Sequence, residues 1–321
     1  CVVSPLGDFA SPLVDYVKAA RSQGIPSALC VASWDNLSNK GHMRIVPDRV
    51  FVWNDVQKEE AESLHGVPPE NVVVTGAQLF DHWFDWEPVR TREEFCRDAG
   101  LDASRPFVVF LGSTHGVAPT EPYFVERWLR GVRGASDPRV AGLGVLIRPH
   151  PASADRYLSF DLSQVENAAI WPPKASARSE YYSDAGKRDF FESLYYSVAA
   201  VGLNTSALIE AAVVGRPVCT IRTEGTLQSQ DGTVHFAYLA SERNGLLRTA
   251  DSTDAHLGDL ARILDGDVDV ERISSFVRHF VRPHGLERPA APILADAIEE
   301  AAKLRVVPRR VTMADRSLRT L

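Results

Sequence analysis

The stretch VGLNTSALIEAA (residues 201–212) ends an apolar run in Asn204, Thr205 and Ser206, then places Glu210 one helical turn further on. Small polar residues at that point suit the start of a helix. The first amides of a helix have no backbone partner and lie at the positive end of its dipole, so they can hold a phosphate. Gly202 allows close approach to the backbone. Glu210, four residues beyond Ser206 and on the same face, can accept two hydrogen bonds from a ribose diol. A plainer reading needs only a capped helix and a solvent-facing glutamate. In VLIRPHP (145–151), Arg148 and His150 leave a strand on one side because they are two apart. The guanidinium could grip phosphate oxygens, and the imidazole could donate to them or to a leaving group. The alternative is a structural arginine at a strand end.

Two further loops carry polar sets. In SWDNLSNKG (33–41), Asp35 could act as general base toward an acceptor hydroxyl, with Asn36 and Lys40 lining a cleft. An Asx turn, in which Asp35 and Asn36 bond their own backbone, accounts for the same residues. In SQDGTVHFAYL (229–239), Gln230, Asp231, Gly232, Thr233 and His235 follow a strand and would reach the donor side of that cleft, unless the stretch is a surface loop. No HxxxH pattern, paired acids at a strand end or cysteine cluster is present, so no metal is expected.

The elements that must position these groups alternate between strand and helix. CVVSP, PSALCVAS, RVFVW and NVVVTG read as strands, separated by the helices SPLVDYVKAARSQG (capped by Ser11, with Pro12 first) and NDVQKEEAESLHG. After a Trp/Pro-rich passage at about residues 83–92 the pattern restarts with the helix TREEFCRDAGL. The strands PFVVFLGS, GLGVLIRPHP, AAIWPP, VAAVGLN and RPVCTI then alternate with helices, notably one at 187–197, and the remainder reads as helical. Strands separated by helices imply parallel sheets. The expectation is α/β, with two Rossmann-like domains facing a cleft and ligands beyond the carboxyl ends of the strands. Residues 1–88 are assigned to an N-terminal, acceptor-side domain, 89–285 to a donor-binding domain, 286–305 to a C-terminal helix and 306–321 to a basic tail. The chain opens at Cys1 directly in a strand-like segment, so an earlier part of the first domain is expected to be missing.

VGLNTSALIEAAVVGRPV (201–218) resembles the donor-nucleotide segment of GT-B glycosyltransferases and their relatives, the non-hydrolysing nucleotide-sugar 2-epimerases and CDP-glycerol glycerophosphotransferases. VLIRPHP is similar to the same superfamily's strand ending in Arg/Lys-x-His, FLGST (110–114) to the first strand of its nucleotide-binding domain, and VTGAQLFD (74–81) to a last strand of its first domain. The resemblance covers most of residues 100–240 and fits 1–82. It implies that Ser113, Thr114, Arg148, Gly202, Asn204, Thr205 and Ser206 contact the diphosphate. It also places Glu210 on the ribose and the loop at 229–239 near the transferred group, and it implies catalysis with no cofactor and no bound metal. The expected activity is glycosyl transfer from a nucleotide-diphosphate sugar to a glycan or lipid-linked acceptor, in surface-polysaccharide or glycoconjugate synthesis. A nucleotide-sugar 2-epimerase, a CDP-alcohol phosphotransferase and a non-catalytic GT-B-like module are the alternatives.

Bulk properties bound these readings. The 321 residues suffice for two domains, and 45% hydrophobic with 24% charged residues is ordinary for a globular chain. A net charge of -7 makes the whole molecule no magnet for nucleic acid, although KLRVVPRRVTMADRSLRT near the end is locally basic and peripheral membrane contact stays open. Four scattered cysteines without a CxxC pair favour a reducing, cytoplasmic setting, and no apolar run spans a bilayer.

Overall fold

The computed structural model describes residues 2–5, 13–172, 181–222, 229–242 and 244–308. Ser11, Pro12 and most of the basic tail lie outside them. The chain divides into two compact units, one made of Cys1–His82 with Val277–Leu321 and the other of Trp83–Phe276.

In the first unit, β1 (Val2–Pro5), β2 (Ser27–Cys30), β3 (Arg49–Val52) and β4 (Val72–Val74) form a parallel sheet in that order. The helix Asp55–His65 starts where the Asn54 side chain accepts the Gln57 amide at 3.0 Å and stops at Gly66, whose φ of 65° is left-handed. Strand periodicity sends Val50 and Val52 to one face, with Leu29, Val31, Leu37 and Ala61. Phe51 and Ala28 face the other side, where Leu294 and Ala301 of the helix Ala290–Ala302 cover them.

That last helix is tied in by polar contacts as well. Asp81 accepts the Ala290 amide at 3.0 Å, the Ala291 amide at 2.7 Å and Nη2 of the buried Arg282 at 3.0 Å, satisfying donors that a helix start leaves unpaired. Asn54 Nδ2 donates to the Phe280 carbonyl at 2.7 Å, and the Ala77 amide to the Val281 carbonyl at 2.9 Å. The sequence assignment ran the second domain to residue 285 and set 286–305 apart. In the fold the chain from Val277 onward belongs to the first unit. Amphipathic periodicity says that a helix has a buried face, not which sheet will bury it.

The second unit contains β5 (Phe107–Leu111), β6 (Gly144–Arg148), β7 (Ala168–Ile170), β8 (Ala199–Gly202), β9 (Val218–Ile221) and β10 (Leu247–Ala250). They run parallel in the order β10-β9-β8-β5-β6-β7. Numbered within the unit, this is 3-2-1-4-5-6, the doubly wound order whose direction reverses between β5 and β8. Every residue of β5 and β6 is buried, as befits strands covered on both faces. Val125, Trp128, Leu129 and Val132 of the helix Glu121–Arg133 form part of that cover.

The Trp/Pro-rich passage packs onto the helix Asp184–Tyr195. Trp83 and Trp86 sit 5.7 and 5.8 Å from the Phe191 ring, and Arg90 Nε donates to Glu192 at 2.6 Å. β10 corrects the expectation of a helical remainder: four residues are too few for periodicity to separate strand from helix. The loops at 33–41 and 229–239 likewise contain the short helices Asn36–Asn39 and Val234–Ala240. Among the described residues, no helix is long and apolar enough to cross a membrane.

Candidate functional site

Ligands of doubly wound sheets lie where the strand order reverses, outside the carboxyl ends of the strands. Here that point falls between β5 and β8. Leu111 pairs in register with Gly202 on one side and Arg148 on the other, so the loops FLGST, RPHP and GLNTS emerge together. They are closely packed. A Cβ on Gly112 would lie 2.8 Å from the His150 amide nitrogen and 3.0 Å from Pro149 Cα, and one on Gly202 would lie 2.9 Å from Leu208 Cδ2 and 3.1 Å from the Leu111 carbonyl. Loop packing alone therefore favours glycine at 202.

Around this point the anticipated residues take different parts. Ser206 is exposed, already has first-turn dihedrals and makes no capping bond, while Thr205 Oγ1 reaches only to 3.5 Å of the Ala207 amide. The first amides of the seven-residue helix Ala207–Val213 thus lack a good side-chain cap. Glu210 is half-buried and, among the described residues, its carboxyl group has no hydrogen bond or ion pair; burial pushes that carboxyl up to about 7. A carboxylate held without partners costs stability, and such groups concentrate where a ligand will supply the partner.

His150 is half-buried, and its Nδ1 accepts the Ala152 amide at 3.0 Å, which puts the proton of the neutral ring on Nε2. Ser113 is buried and Thr114 half-buried, the latter's carbonyl accepting the Val117 and Ala118 amides at 3.1 and 3.0 Å.

Three residues expected to contact a ligand are held by protein partners. Arg148 is buried, its Nη1 donates to Asp189 Oδ2 at 2.6 Å, and its guanidinium lies 5.3 Å from the centre of the Phe190 ring. A buried guanidinium needs such a counter-charge, and burial lowers its pKa even so. Asn204 is buried and spends Nδ2 on the Ser229 carbonyl. Gln230 is wholly buried, its Nε2 near the Leu203 carbonyl, Thr220 Oγ1 and the Ile221 carbonyl at 3.0, 3.1 and 3.2 Å. Asn204 and Gln230 lace the loop after β8 to the chain beyond β9, because buried amides must find partners somewhere. Of their neighbours, Asp231 is exposed and pairs with Arg222 at 3.3 Å, Gly232 is exposed, Thr233 donates to the Gln230 carbonyl at 2.9 Å, and His235 is buried in the helix that follows.

In the first unit, the loop after β2 is internally built. Asn36 Oδ1 accepts the Ala32 and Ser33 amides at 3.0 and 2.9 Å, the Asx arrangement. Asp35 accepts from Ser33 Oγ at 2.7 Å and lies 3.4 Å from the exposed Lys40 Nζ. His65 closes the loop's far end: Nδ1 accepts the Met43 amide at 3.0 Å, which leaves Nε2 as the donor to the Leu37 carbonyl at 2.8 Å.

Sequence reasoning missed two acids. Glu121 accepts the Ser113 amide at 2.6 Å and the Tyr157 hydroxyl at 2.9 Å. Asp189 accepts from Arg148, from Arg90 at 2.5 Å and from Trp171 Nε1 at 2.7 Å; burial opposes its charge, but these partners hold its carboxyl below the usual range. Asp189, Arg148, Arg90 and Trp171 line a cavity of about 600 Å³ at the ends of β6 and β7, together with Tyr181 and Arg188. The acids themselves carry no local signal, since each reads as an ordinary helix residue. Among the described residues, no group of three or more His, Cys, Asp or Glu side chains is placed to hold a metal ion.

No protein-family model and no curated protein matches the chain by sequence. Solved structures do match. A putative UDP-N-acetylglucosamine 2-epimerase from Listeria monocytogenes superposes with a TM-score of 0.59 at 17% identity, covering 97% of this chain and 77% of its own. The UDP-GlcNAc 2-epimerase from Neisseria meningitidis, bound to UDP-GlcNAc, gives 0.59 at 14% identity over 93% of this chain and 76% of its own. WaaG, a glycosyltransferase involved in lipopolysaccharide biosynthesis, gives 0.51 at 12% identity over 91% and 81%. The fold these matches share with the chain is α/β with two Rossmann-like domains, the GT-B type. Against one structure of the wall teichoic acid polymerase TagF the chain spans 60% of the polymerase's length. These identities establish architecture alone.

Proposed function

We propose that the second unit binds a nucleoside-diphosphate donor at the β5/β8 reversal, and that the protein is a glycosyltransferase of surface-polysaccharide or glycoconjugate synthesis. The observation that carries this is Glu210: a half-buried carboxylate without a partner among the described residues, one turn into the helix that follows the reversal strand. A ribose diol supplies the two donors it lacks. The Ala207 amide, whose nearest acceptor is Thr205 Oγ1 at 3.5 Å, is the backbone donor for the diphosphate, together with His150, and the cavity beside Trp171 has room for a planar base. In transfer, the acceptor hydroxyl attacks the anomeric carbon, the bond to the diphosphate oxygen breaks, and the nucleoside diphosphate leaves with the negative charge. Asp35 is the candidate to take the acceptor's proton.

Calorimetry with UDP, GDP, CDP and dTDP on wild type and Glu210→Gln tests the binding half. One nucleotide should bind, and the variant should lose about tenfold in affinity, the scale of one hydrogen bond to a charged group. Unchanged affinity in folded Glu210→Gln removes the ribose assignment. Incubation of the matching nucleotide sugar without acceptor tests the reaction class: conversion of the donor to its epimer replaces glycosyl transfer with 2-epimerisation. Metal independence is part of the proposal, so binding and turnover should survive EDTA. Activity that disappears with chelator and returns with Mg²⁺ or Mn²⁺ would contradict it.

A further inference from the structure

Glu121 opens the helix after the β5 loop, is only 1% exposed, and divides its two oxygens between two strand-end loops. Oε2 accepts the amide of Ser113, just after β5, and Oε1 accepts the hydroxyl of Tyr157, in the turn Ala154–Tyr157 beyond β6. The same two loops are joined elsewhere. The Gly112 amide donates to the Arg148 carbonyl at 2.9 Å, the His115 amide to Ser153 Oγ at 3.0 Å, and Arg156 Nη2 to the Ala118 and Pro119 carbonyls at 3.0 and 2.6 Å.

A carboxylate is an expensive way to join two buried donors. Burial pushes this one up to about 7 against the hydrogen bonds from Ser113 and Tyr157 and the nearby charge of Arg156. A group kept at that cost is suited to holding geometry, because it fixes an amide and a hydroxyl in one plane where an apolar residue would fix neither.

We infer that Glu121 is a positioning residue of the donor site, clasping the loops after β5 and β6 into one rigid cradle for the diphosphate. The diphosphate part rests on the nucleotide reading above; the clasp itself does not. Ser113 and Thr114 lie directly in one clasped loop, and His150 lies in the other. A clasp that holds both loops fixes Thr114 and the His150 imidazole relative to each other before ligand arrives, so binding does not have to order them. The nucleoside portion, which these loops do not serve, is indifferent to it.

Two variants separate the roles. Tyr157→Phe removes one donor and keeps the ring, and Glu121→Ala removes the acceptor altogether. Glu121→Gln retains much of the clasp, with its oxygen on the Ser113 amide and its NH₂ turned to the Tyr157 oxygen. Affinities are measured for the preferred nucleoside diphosphate and for the bare nucleoside. Tyr157→Phe and Glu121→Ala should weaken the diphosphate tenfold or more and shift the nucleoside by less than twofold, with Glu121→Gln restoring most of the loss. Equal loss for both ligands, or none for either, overturns the positioning role.

Hydrogen exchange on the unliganded protein reads the clasp separately. Residues 112–118 and 150–157 should exchange at least tenfold faster together in Glu121→Ala; unchanged protection overturns the clasp. Wild-type protein that binds no nucleotide overturns the donor reading, while the exchange result still decides whether the loops are joined.

Discussion

Glu210 pays twice for its position, in stability and in pH dependence. Its folded pKa of about 7 stands above the ordinary 4.5, so the native state holds a proton between those values that the unfolded chain has released. Stability from this group is present below the unfolded pKa and is lost as pH rises through about 7. Glu210→Gln should therefore be more stable than wild type at about pH 8 by thermal melting, while binding nucleotide less well. A diol that donates to the ionised carboxylate favours the charged form, so nucleotide affinity should rise between about pH 5 and 7 and then level off. Calorimetry in buffers of different ionisation enthalpy would show the proton released; binding without proton release would detach Glu210 from the ligand.

His256 shows the opposite sign. It is fully buried in the helix Thr253–Leu264, neither ring nitrogen has a hydrogen-bond partner among the described residues, and burial lowers its pKa to about 4. Between the ordinary 6.5 and that value the unfolded chain takes up a proton the native state refuses, so about 3 kcal/mol should be lost on acidification. His256→Leu should flatten the fall in melting temperature below about pH 6.5. At Gly112 an added methyl meets the backbone of His150 and Pro149, which cannot swing aside, so Gly112→Ala should cost about 1–3 kcal/mol by denaturant unfolding.

At the scale of elements, Asp81 ties the end of the first unit's opening segment to the start of Ala290–Ala302. Asp81→Ala leaves Arg282 buried without its carboxylate and two helix amides without an acceptor. It should destabilise by about 3–5 kcal/mol, the scale of breaking a buried pair from one side, and raise hydrogen exchange first in residues 290–302. A melting temperature within a degree or two of wild type would show that Leu294 and Ala301 hold the helix unaided. The contrast between readable and unreadable elements follows from distance along the chain. FLGST, RPHP and GLNTS could be picked out because a strand, a glycine or proline and a polar side chain stand within a few residues of each other. Tyr157, one of the two partners of Glu121, is 36 positions away and Asp189, the partner of Arg148, is 41, and no local pattern ties them. Asn204 and Gln230 had the right chemistry for a ligand, but their tertiary neighbours offered carbonyls first. β10 was too short to announce itself.

At the scale of the molecule, the second unit is an interruption of the first: the chain leaves at His82 and returns at Val277. Shortening the protein to end at Phe276 would bare Phe51 and Ala28, which Leu294 and Ala301 cover. Limited proteolysis of that fragment should consume residues 13–82 and leave 83–276 resistant. Resistance of both parts would mean the first sheet stands without its closing helix.

The return at Val277 also sets an order in time. On the ribosome the strands β1–β4 emerge early, yet the helix that seals one face of their sheet is made only after the whole of the second unit. At ~5–20 residues per second, the 194 residues from 83 to 276 take roughly ten to forty seconds to make. Through that interval the second unit can close on itself while the earlier-made sheet waits with Phe51 uncovered, open to any chaperone that reads exposed apolar strand. The sheet made before the second unit is finished only after it.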